Sequence, residues 1–217
     1  MKTLSLFLSL FVVSAVTVAP HQALAVTSSY CDDLERLDNL YHLTPHQFKN
    51  FFIDGTKLDR IIISKTRKKL YILRDDVVLK TYDVAFGSNP FGHKQFEGDK
   101  KTPEGVYKID GKNAESLFYK GLHIDYPNKA DRAYAKSKGR SAGGDIMIHG
   151  FPNDPAQNTL VSAVHPFYNW TSGCIAVTNT EIDEIFSMAG KGTPVEICKM
   201  PPPAEPGPVD PANPPEQ

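Results

Sequence analysis

The sequence contains few of the features that mark metalloenzymes, nucleic-acid-binding proteins and repeat proteins. Its 217 residues include only three cysteines, lack the HExxH pattern, and show no clustered histidines and carboxylates at metal-ligand spacing. The 24 lysines and arginines nearly balance the 25 aspartates and glutamates, so charge gives no reason to expect binding to nucleic acid. No tandem repeat is apparent. We therefore expect a protein without a metal, a cofactor or a nucleic-acid partner.

The first 25 residues have the order of residue types that is typical of a secretory signal. Lys2 precedes an apolar run over residues 4–18, and the small residues of a cleavage site end at Ala25. The apolar run is shorter than the roughly 20 residues that span a bilayer, so we expect cleavage after Ala25 rather than a membrane anchor. The prediction is a protein exported to the periplasm or cell envelope, without stable insertion in a membrane.

Three further parts follow residues 1–25. In residues 26–57, leucines and Phe48 recur at intervals of three to five residues, which favours short amphipathic helices broken near Pro45. Residues 58–198 form one predicted domain. Residues 199–217 are rich in proline, which has no backbone N–H, so we expect an extended, disordered tail.

The predicted domain is dominated by short β-strand patterns. Turn residues separate the apolar segments, and Asp75-Asp76 has the composition of a hairpin turn. One helix is predicted over residues 181–189, with Thr180 as its cap. These patterns predict a mainly β fold with a few helices, arranged as a sandwich or barrel. The predicted strands are 60–64, 69–73, 77–86, 105–110, 123–126 and 145–149.

A cysteine that follows a glycine, with a histidine upstream, indicates a thiol nucleophile. Gly173 permits the dihedral angles of a tight turn, so that a carbonyl can approach the Cys174 sulfur while neighbouring N–H groups receive the developing oxyanion. Histidine is the side chain best suited to take a thiol proton near neutral pH, and His149 is the candidate.

Four segments of the domain occur in the order found in YkuD-type L,D-transpeptidases. They are KLYIL at 69–73, TPEGVY at 102–107, GDIMIHG at 144–150 and WTSGCIAV at 170–177. The sequence resembles this family over residues 58–198. It departs from the usual pattern at Ser172, where the family usually has a second histidine, and in a longer spacing from His149 to Cys174. The WTSGCIAV form is similar to a branch in which some members hydrolyse bonds to peptidoglycan.

The resemblance implies acyl transfer on peptidoglycan stem peptides, without a metal. Cys174 is the implied nucleophile and forms a thioester, while His149 accepts the thiol proton and then delivers it to the leaving amine. In the family the backbone carbonyl that follows the histidine, here that of Gly150, orients the ring. The N–H groups of Gly173 and Cys174 are the expected oxyanion donors.

Candidate substrate contacts lie beside the nucleophile and in a basic segment upstream. Thr171, Trp170 and Ser172 flank Cys174, and Ser172 together with the longer spacing is expected to shape the acceptor side. Residues 129–140 hold five basic side chains and one acid; we hypothesise that Arg132 and Arg140 attract the carboxylates of the stem peptide from a lid or rim. A solvated helix face is the alternative for this segment.

Three functions stay open. The leading hypothesis is an L,D-transpeptidase that transfers a stem peptide to an amine acceptor in cell wall biogenesis, with a wall-linked lipoprotein as a further partner. A cysteine amidase or carboxypeptidase of the same fold is the second, and a non-catalytic wall-binding module is the third.

His165 is the rival base, but Pro166 favours a loop in which His165 lines the groove or lies at the surface. Four aromatic residues are candidate groove walls or core residues: Tyr126, Phe167, Tyr168 and Trp170.

The other two cysteines lie at the two ends of the predicted folded region. An oxidising compartment favours pairing of Cys31 with Cys198, whereas a nucleophile must remain free. On the chain-entropy model, such a bond would stabilise the fold by about 4 kcal/mol. Two unpaired thiols are the alternative.

Overall fold

A computed structural model describes residues 29–203, and these residues form a mainly β domain with short helices. The nine described strands are hydrogen-bonded in the order β1-β4-β3-β2-β9-β5-β6-β7-β8. The described elements are α1 (Glu35–Asp38), β1 (Tyr41–His42), α2 (Pro45–Ile53), β2 (Arg60–Ser64), β3 (Lys69–Arg74), β4 (Val77–Asp83), β5 (Gly105–Ser116), β6 (Tyr119–Ile124), α3 (Lys129–Ser137), β7 (Met147–His149), α4 (Pro155–Val164), β8 (Ile175–Ala176), α5 (Asn179–Met188) and β9 (Pro194–Cys198). The predicted fold class is confirmed.

Strand β5 links the two halves of the sheet. Its first residues, 105–108, pair antiparallel with β9, and residues 109–116 pair antiparallel with β6 through two irregularities in register. Parallel pairing occurs between β1 and β4, between β2 and β9, and between β7 and β8. The last of these pairs carries the candidate site, because it joins the predicted histidine strand to the predicted cysteine turn.

The hairpin of β3 and β4 turns where the sequence predicted. Asp75 and Asp76 have φ angles of 51° and 57°, in the left-handed region that tight hairpin turns require. The strands on either side are apolar, and Leu70, Ile72 and Leu79 are at most 1 % exposed. Their burial is the main driving force for this half of the sheet.

Two hydrophobic clusters lie on opposite faces of β2 and β3. Ile61 and Ile63 belong to the main core, which also contains Ile182 and Ile185 of α5. Ile62, the residue between them, belongs to the smaller cluster. Side chains alternate along a strand, so one strand supplies both clusters. The smaller cluster contains Tyr30, Leu37, Ile62, Tyr71, Leu73, Val78 and Cys198.

A disulfide bond joins Cys31 to Cys198, across 167 positions of the sequence. These are the two cysteines that the sequence predicted to pair, and Cys174 is the free thiol among the described residues. The bond fixes the N-terminal segment against the end of β9. Within that segment Pro45 is the first residue of α2, with Thr44 as its cap, so the proline begins a helix rather than breaking one.

Several predicted boundaries were wrong. Helix α5 begins at Asn179 with Thr178 as its cap, not Thr180, because the Thr178 hydroxyl accepts the N–H of Glu181 and the Glu181 side chain accepts the N–H of Thr178. Strand β4 ends at residue 83 rather than 86, β6 occupies 119–124 rather than 123–126, and β5 continues to residue 116. Strands β1 and β8, of two residues each, were not predicted.

The ends of the chain are only partly described. The predicted signal over residues 1–25 and most of the predicted tail lie outside residues 29–203. Met200, placed in the tail, contacts the domain instead: its N–H donates to the Glu104 carboxylate and its carbonyl accepts the N–H of Gly92. Within the described part of the chain, no helix is both long and apolar enough to cross a membrane.

Candidate active site

Strands β7 and β8 place the histidine and the cysteine on one face of the sheet. Their parallel register pairs Ile148 with Ile175 and His149 with Ala176, and the Val177 N–H donates to the His149 carbonyl at 3.0 Å. Ile148 and Ile175 point into the core and are fully buried. Because side chains alternate along a strand, His149 and Cys174 project from the opposite face.

The turn before Cys174 is closed by a threonine side chain. The Thr171 hydroxyl accepts the Gly173 N–H at 3.1 Å and donates to the Cys174 carbonyl at 2.7 Å. The Gly173 N–H, expected as an oxyanion donor, is therefore engaged within the turn. By contrast, the Cys174 N–H donates to no acceptor within residues 29–203.

Only glycine fits at position 173. Its φ is 139°, and a Cβ atom there would lie 2.7 Å from the Lys101 carbonyl oxygen and 3.2 Å from the Ile146 side chain. The turn thus packs directly against the loop that precedes β5. Larger residues would displace either that loop or the turn that carries Cys174.

The His149 ring is buried and held by a backbone carbonyl. The side chain is 2 % exposed, and Nδ1 lies 2.6 Å from the Gly150 oxygen. Since a carbonyl oxygen only accepts, Nδ1 carries the hydrogen and Nε2 keeps its lone pair. Burial lowers the pKa of His149 to about 4, against the opposing effect of the Gly150 carbonyl. The imidazole is therefore neutral at neutral pH.

The raised pKa of the Cys174 thiol favours its protonated form at neutral pH. Burial raises the pKa of its thiol, and the backbone at Met147 opposes this only in part. The thiol donates to the Asp145 carbonyl oxygen at 3.4 Å. Asp145 adopts a φ of 53°, an uncommon angle for a residue with a side chain, and this conformation directs its carbonyl to the sulfur.

Both residues open into one cavity of about 470 Å³. Helix α4 provides one wall, since Gln157, Leu160 and Val161 contribute to the lining. Aromatic rings form the floor around the histidine: the centroid of Phe118 lies 4.5 Å from His149 and that of Trp170 lies 5.8 Å from it. The complete lining is Phe118, His149, Pro152, Gln157, Leu160, Val161, Trp170, Thr171, Ser172 and Cys174.

The structure brings together some of the predicted substrate contacts and not others. Trp170, Thr171 and Ser172 line the cavity. Arg132 and Arg140 do not: the Arg132 guanidinium donates to the Pro127 carbonyl, and that of Arg140 stacks 4.0 Å from the centre of the Phe96 ring. Both side chains are engaged locally, on and beside α3.

The other aromatic candidates also lie outside the cavity lining. Tyr126 is 2 % exposed and belongs to the core, where its hydroxyl donates to the Ala142 carbonyl at 3.0 Å. Phe167 and Tyr168 are largely exposed, at 83 % and 71 %. His165 ends α4 with its ring 5.2 Å from that of Phe151, and burial lowers its pKa to about 4. It is half-buried rather than a surface or lining residue.

Several lining residues were not singled out from the sequence. Phe118 lies in the turn between β5 and β6 and gave no recognisable signal. Helix α4 did give one: Asp154 caps it by accepting the N–H of Gln157 at 2.9 Å, and Pro155 is its first residue. An Asp-Pro pair at a helix start is a recognised pattern. The residues between His149 and Cys174 thus include this helix.

Comparison with known proteins identifies the family. The family described as YkuD, L,D-transpeptidase catalytic domain, matches residues 58–197. The chain belongs to this family. The predicted resemblance over 58–198 is thereby confirmed.

Individual proteins are similar to this chain over part of their length. A putative L,D-transpeptidase, YafK, of Escherichia coli K12 is 35 % identical over 111 residues, which are 50 % of this chain and 36 % of that protein. The chain thus matches about a third of the length of this curated relative. Among solved structures, the helical cell shape determining protein Pgp2 from Campylobacter jejuni is 25 % identical with a TM-score of 0.46, over 71 % of this chain and 56 % of Pgp2. Bd1075 of Bdellovibrio bacteriovorus is 22 % identical with a TM-score of 0.45, over 66 % of this chain and 49 % of Bd1075.

Proposed function

We propose that this protein is a peptidoglycan-acting L,D-transpeptidase that transfers a stem peptide through a thioester on Cys174. The observation that carries the proposal is the arrangement of Cys174 and His149 at one cavity, with His149 Nδ1 bound by the Gly150 carbonyl. This leaves Nε2 as the proton acceptor. Membership of the L,D-transpeptidase family supports the reaction class.

In the first half-reaction the thiol attacks the carbonyl of the donor peptide. The proton moves from Sγ to His149 Nε2 as the C–S bond forms, because both groups are neutral beforehand. The carbonyl oxygen becomes negative, and the Cys174 N–H is the donor available to it. The tetrahedral intermediate then expels the amine, which takes the proton from His149 and leaves a thioester.

In the second half-reaction an amine resolves the thioester. The new C–N bond forms, the C–S bond breaks, and the Cys174 thiol is regenerated. The acceptor is an amine of another stem peptide or of a wall-linked lipoprotein. Apolar walls at Phe118, Leu160 and Trp170, with Gln157 and Ser172 as polar groups, suit a peptide that needs both shape and hydrogen bonds.

A cysteine hydrolase of the same fold is the second candidate, and Ser172 favours it. This residue is exposed at the cavity beside Cys174, where the family usually has a histidine. A serine hydroxyl can hold a water molecule but cannot carry a positive charge. The two candidates share every step up to the thioester and differ in the nucleophile that resolves it.

The test is incubation of the purified protein with muropeptides, with and without an added amine, followed by intact-mass and product analysis. Cross-linked or amine-exchanged products indicate the transpeptidase, and products released by water alone indicate the hydrolase. Cys174→Ala should abolish both the acyl adduct on the protein and all products. Equal product formation by Cys174→Ala and the parent would refute the role of Cys174, and absence of any product or adduct with the parent would favour a wall-binding module.

A matched control separates chemistry from folding. His46→Gln changes an exposed histidine of α2, outside the cavity lining, and should leave the adduct unchanged. His149→Gln should form the adduct at least about 100-fold more slowly, because it removes the general base. Circular dichroism of all three variants should match that of the parent.

A further inference from the structure

A second histidine lies on the same face of the sheet as Cys174. Strand β6 pairs antiparallel with β7, and in this register His123 is paired with Met147 and Gly121 with His149. On the other side of β7, Ile148 is paired with Ile175. Since these two strands are parallel, the preceding residues, Met147 and Cys174, lie opposite each other. His123 and Cys174 are therefore separated by one strand, or about 10 Å between backbones.

The Asp110 carboxylate holds the His123 ring at this place, and the Asp145 carboxylate lies nearby. Nδ1 lies 2.5 Å from Oδ1 of Asp110 on β5, and Nε2 lies 3.9 Å from Oδ1 of Asp145. Asp145 is also the residue whose carbonyl accepts the Cys174 thiol. The His123 side chain is 31 % exposed, so solvent and ligands can reach it.

His123 and the cavity lie at opposite ends of the short strand β7. The cavity is lined by His149 at the end of β7 and by Pro152 beyond it, whereas Asp145 precedes the strand. His123 is not part of the cavity lining. A thioester on Cys174 would thus have the apolar cavity on one side and the polar residues Asp110, His123 and Asp145 on the other.

An amine acceptor has two protons to lose, so a second base would speed transfer at neutral pH. An alkylamine has a pKa of about 10, so at neutral pH it arrives as an ammonium ion with no lone pair. It must lose one proton before it attacks and another as the amide forms. His149 can transfer the second proton to the departing thiolate. It cannot also take the first, since it has a single free nitrogen.

We propose that His123, positioned by Asp110, accepts the proton that an ammonium acceptor must lose before it attacks the Cys174 thioester. This inference rests on the proposed transpeptidase function. In the step, the ammonium N–H bond breaks and the proton goes to His123 Nε2. The free amine then forms the C–N bond, the C–S bond breaks, and the second proton passes through His149 to the sulfur. His123 later releases its proton to water.

The surroundings of His123 suit this step. Asp110 on β5 and Asp145 before β7 are acidic groups that face its ring, and their carboxylates attract an ammonium acceptor to this place. On α5, which also packs on β6, Asp183 binds Lys120 and Tyr119 instead. A water nucleophile has no ammonium proton to lose, so hydrolysis of the thioester does not need His123.

The experiment compares two amine acceptors in the variants His123→Gln and Asp110→Asn. One acceptor is a stem peptide whose free amine is protonated at pH 7, and the other is hydroxylamine, which is mostly unprotonated there. Intact mass first measures formation of the acyl adduct, and then its decay with each acceptor and with water, between pH 6 and pH 10. His46→Gln is the matched control for loss of a histidine.

We expect His123→Gln to slow transfer to the peptide amine by about 100-fold at pH 7, with recovery as the pH approaches 10. Adduct formation, hydrolysis and reaction with hydroxylamine should stay within twofold of the parent. Asp110→Asn should show a smaller loss with the same pH dependence, because it acts by orienting the ring.

Two results would overturn the inference while leaving the proposed function intact. Equal slowing with both acceptors at every pH would make His123 a structural link between β5 and β6. Unchanged transfer in His123→Gln would assign the proton to another base. Failure of the parent to form any adduct would instead overturn the proposed function, and the inference with it, before an acceptor is added.

Discussion

Burial decides the protonation of both groups of the candidate catalytic pair. It raises the pKa of the Cys174 thiol and lowers that of His149 to about 4, so each effect favours the neutral form. The pair differs in this respect from a thiolate–imidazolium pair, in which the nucleophile is ionised before substrate binds. Proton transfer in this protein must therefore accompany attack on the carbonyl.

Because the Cys174 thiol is neutral, we expect its alkylation to be slow. Iodoacetamide reacts with thiolates, so its rate at pH 7 should be below that with free cysteine and should rise continuously through pH 9. Intact mass measures the adduct. Cys174→Ser should give none, since Cys31 and Cys198 are joined. A rate that stays constant from pH 5 to pH 8 would show an ion pair instead.

The turn before Cys174 depends on one side chain, the hydroxyl of Thr171. It is buried and joins the Gly173 N–H to the Cys174 carbonyl. Thr171→Val has a similar shape but leaves both backbone groups unpaired, at a cost of about 1–3 kcal/mol in the free energy of unfolding.

Thr171→Val should also slow adduct formation, because Cys174 is no longer fixed, and Thr171→Ser should restore most of both properties. Urea unfolding and intact mass provide the two measurements. If Thr171→Val equalled the parent in both, the hydroxyl would have no role in shaping the turn.

At the level of secondary structure, strong local patterns were predicted well and long-range ones poorly. The turn at Asp75-Asp76 and strand β2 depend on neighbours in sequence, and both were predicted at the correct residues. Strand β8 has two residues and depends on distant partners, namely β7 on one side and Ala85 on the other. The residues of a short strand do not reveal which distant strand pairs with it. For this reason β1 and β8 were not predicted.

The candidate site shows the same division. Cys174 and His149 were identified from motifs and resemblance, and both line the cavity. The assignment of Arg132 and Arg140 to substrate rested on charge alone, and the structure turns both to local partners. His123 gave no such signal, because its place on the same face as Cys174, one strand away, follows from the register of three strands.

An ion pair at the end of β2 links three segments around the loop that supports the nucleophile turn. The Lys65 side chain is fully buried, and its Nζ lies 2.6 Å from Glu104 Oε1 and 2.8 Å from the Gly92 carbonyl. Glu104 also accepts the N–H of Met200. Burial lowers the pKa of Lys65, and Glu104 acts in the opposite direction.

Lys65→Met should therefore lower the free energy of unfolding by about 3–5 kcal/mol, since it leaves the Glu104 carboxylate without its cation. The double variant Lys65→Met/Glu104→Gln should regain most of the loss, because glutamine is uncharged and still accepts from Met200. Urea unfolding of the parent, both single variants and the double variant gives the coupling energy. Additive effects would mean that the pair is not coupled.

At the scale of the whole molecule, the disulfide and the two hydrophobic clusters stabilise the fold. The bond between Cys31 and Cys198 was predictable because the cysteine count left one pair besides the nucleophile. The smaller cluster was not predictable: Ile62 faces the N-terminal segment only because that segment folds back over β2 and β3. The strand is therefore buried on both faces.

The two histidines with lowered pKa values make stability depend on pH. His149 has a pKa of about 4 in the folded protein and about 6.5 when unfolded, so between these values the unfolded chain binds more protons. The stabilisation is complete above pH 6.5 and is lost as the pH falls towards 4. His165 acts in the same direction but is only half-buried. Asp99, whose pKa stays below its usual value because bonds from Lys94 and backbone N–H groups outweigh the effect of burial, acts only below this window.

We therefore expect the free energy of unfolding to fall by about 2 kcal/mol through His149 alone between pH 7.5 and pH 5. Urea unfolding at both values measures the change. In His149→Gln this part of the pH dependence should disappear, because glutamine does not titrate, whereas the exposed His46→Gln should keep it. The comparison uses the change in the free energy of unfolding between the two pH values. Any pH-independent effect of the substitution on stability therefore cancels. Equal slopes in the parent and His149→Gln would mean that the His149 ring is protonated, and hence accessible to solvent, in the folded protein.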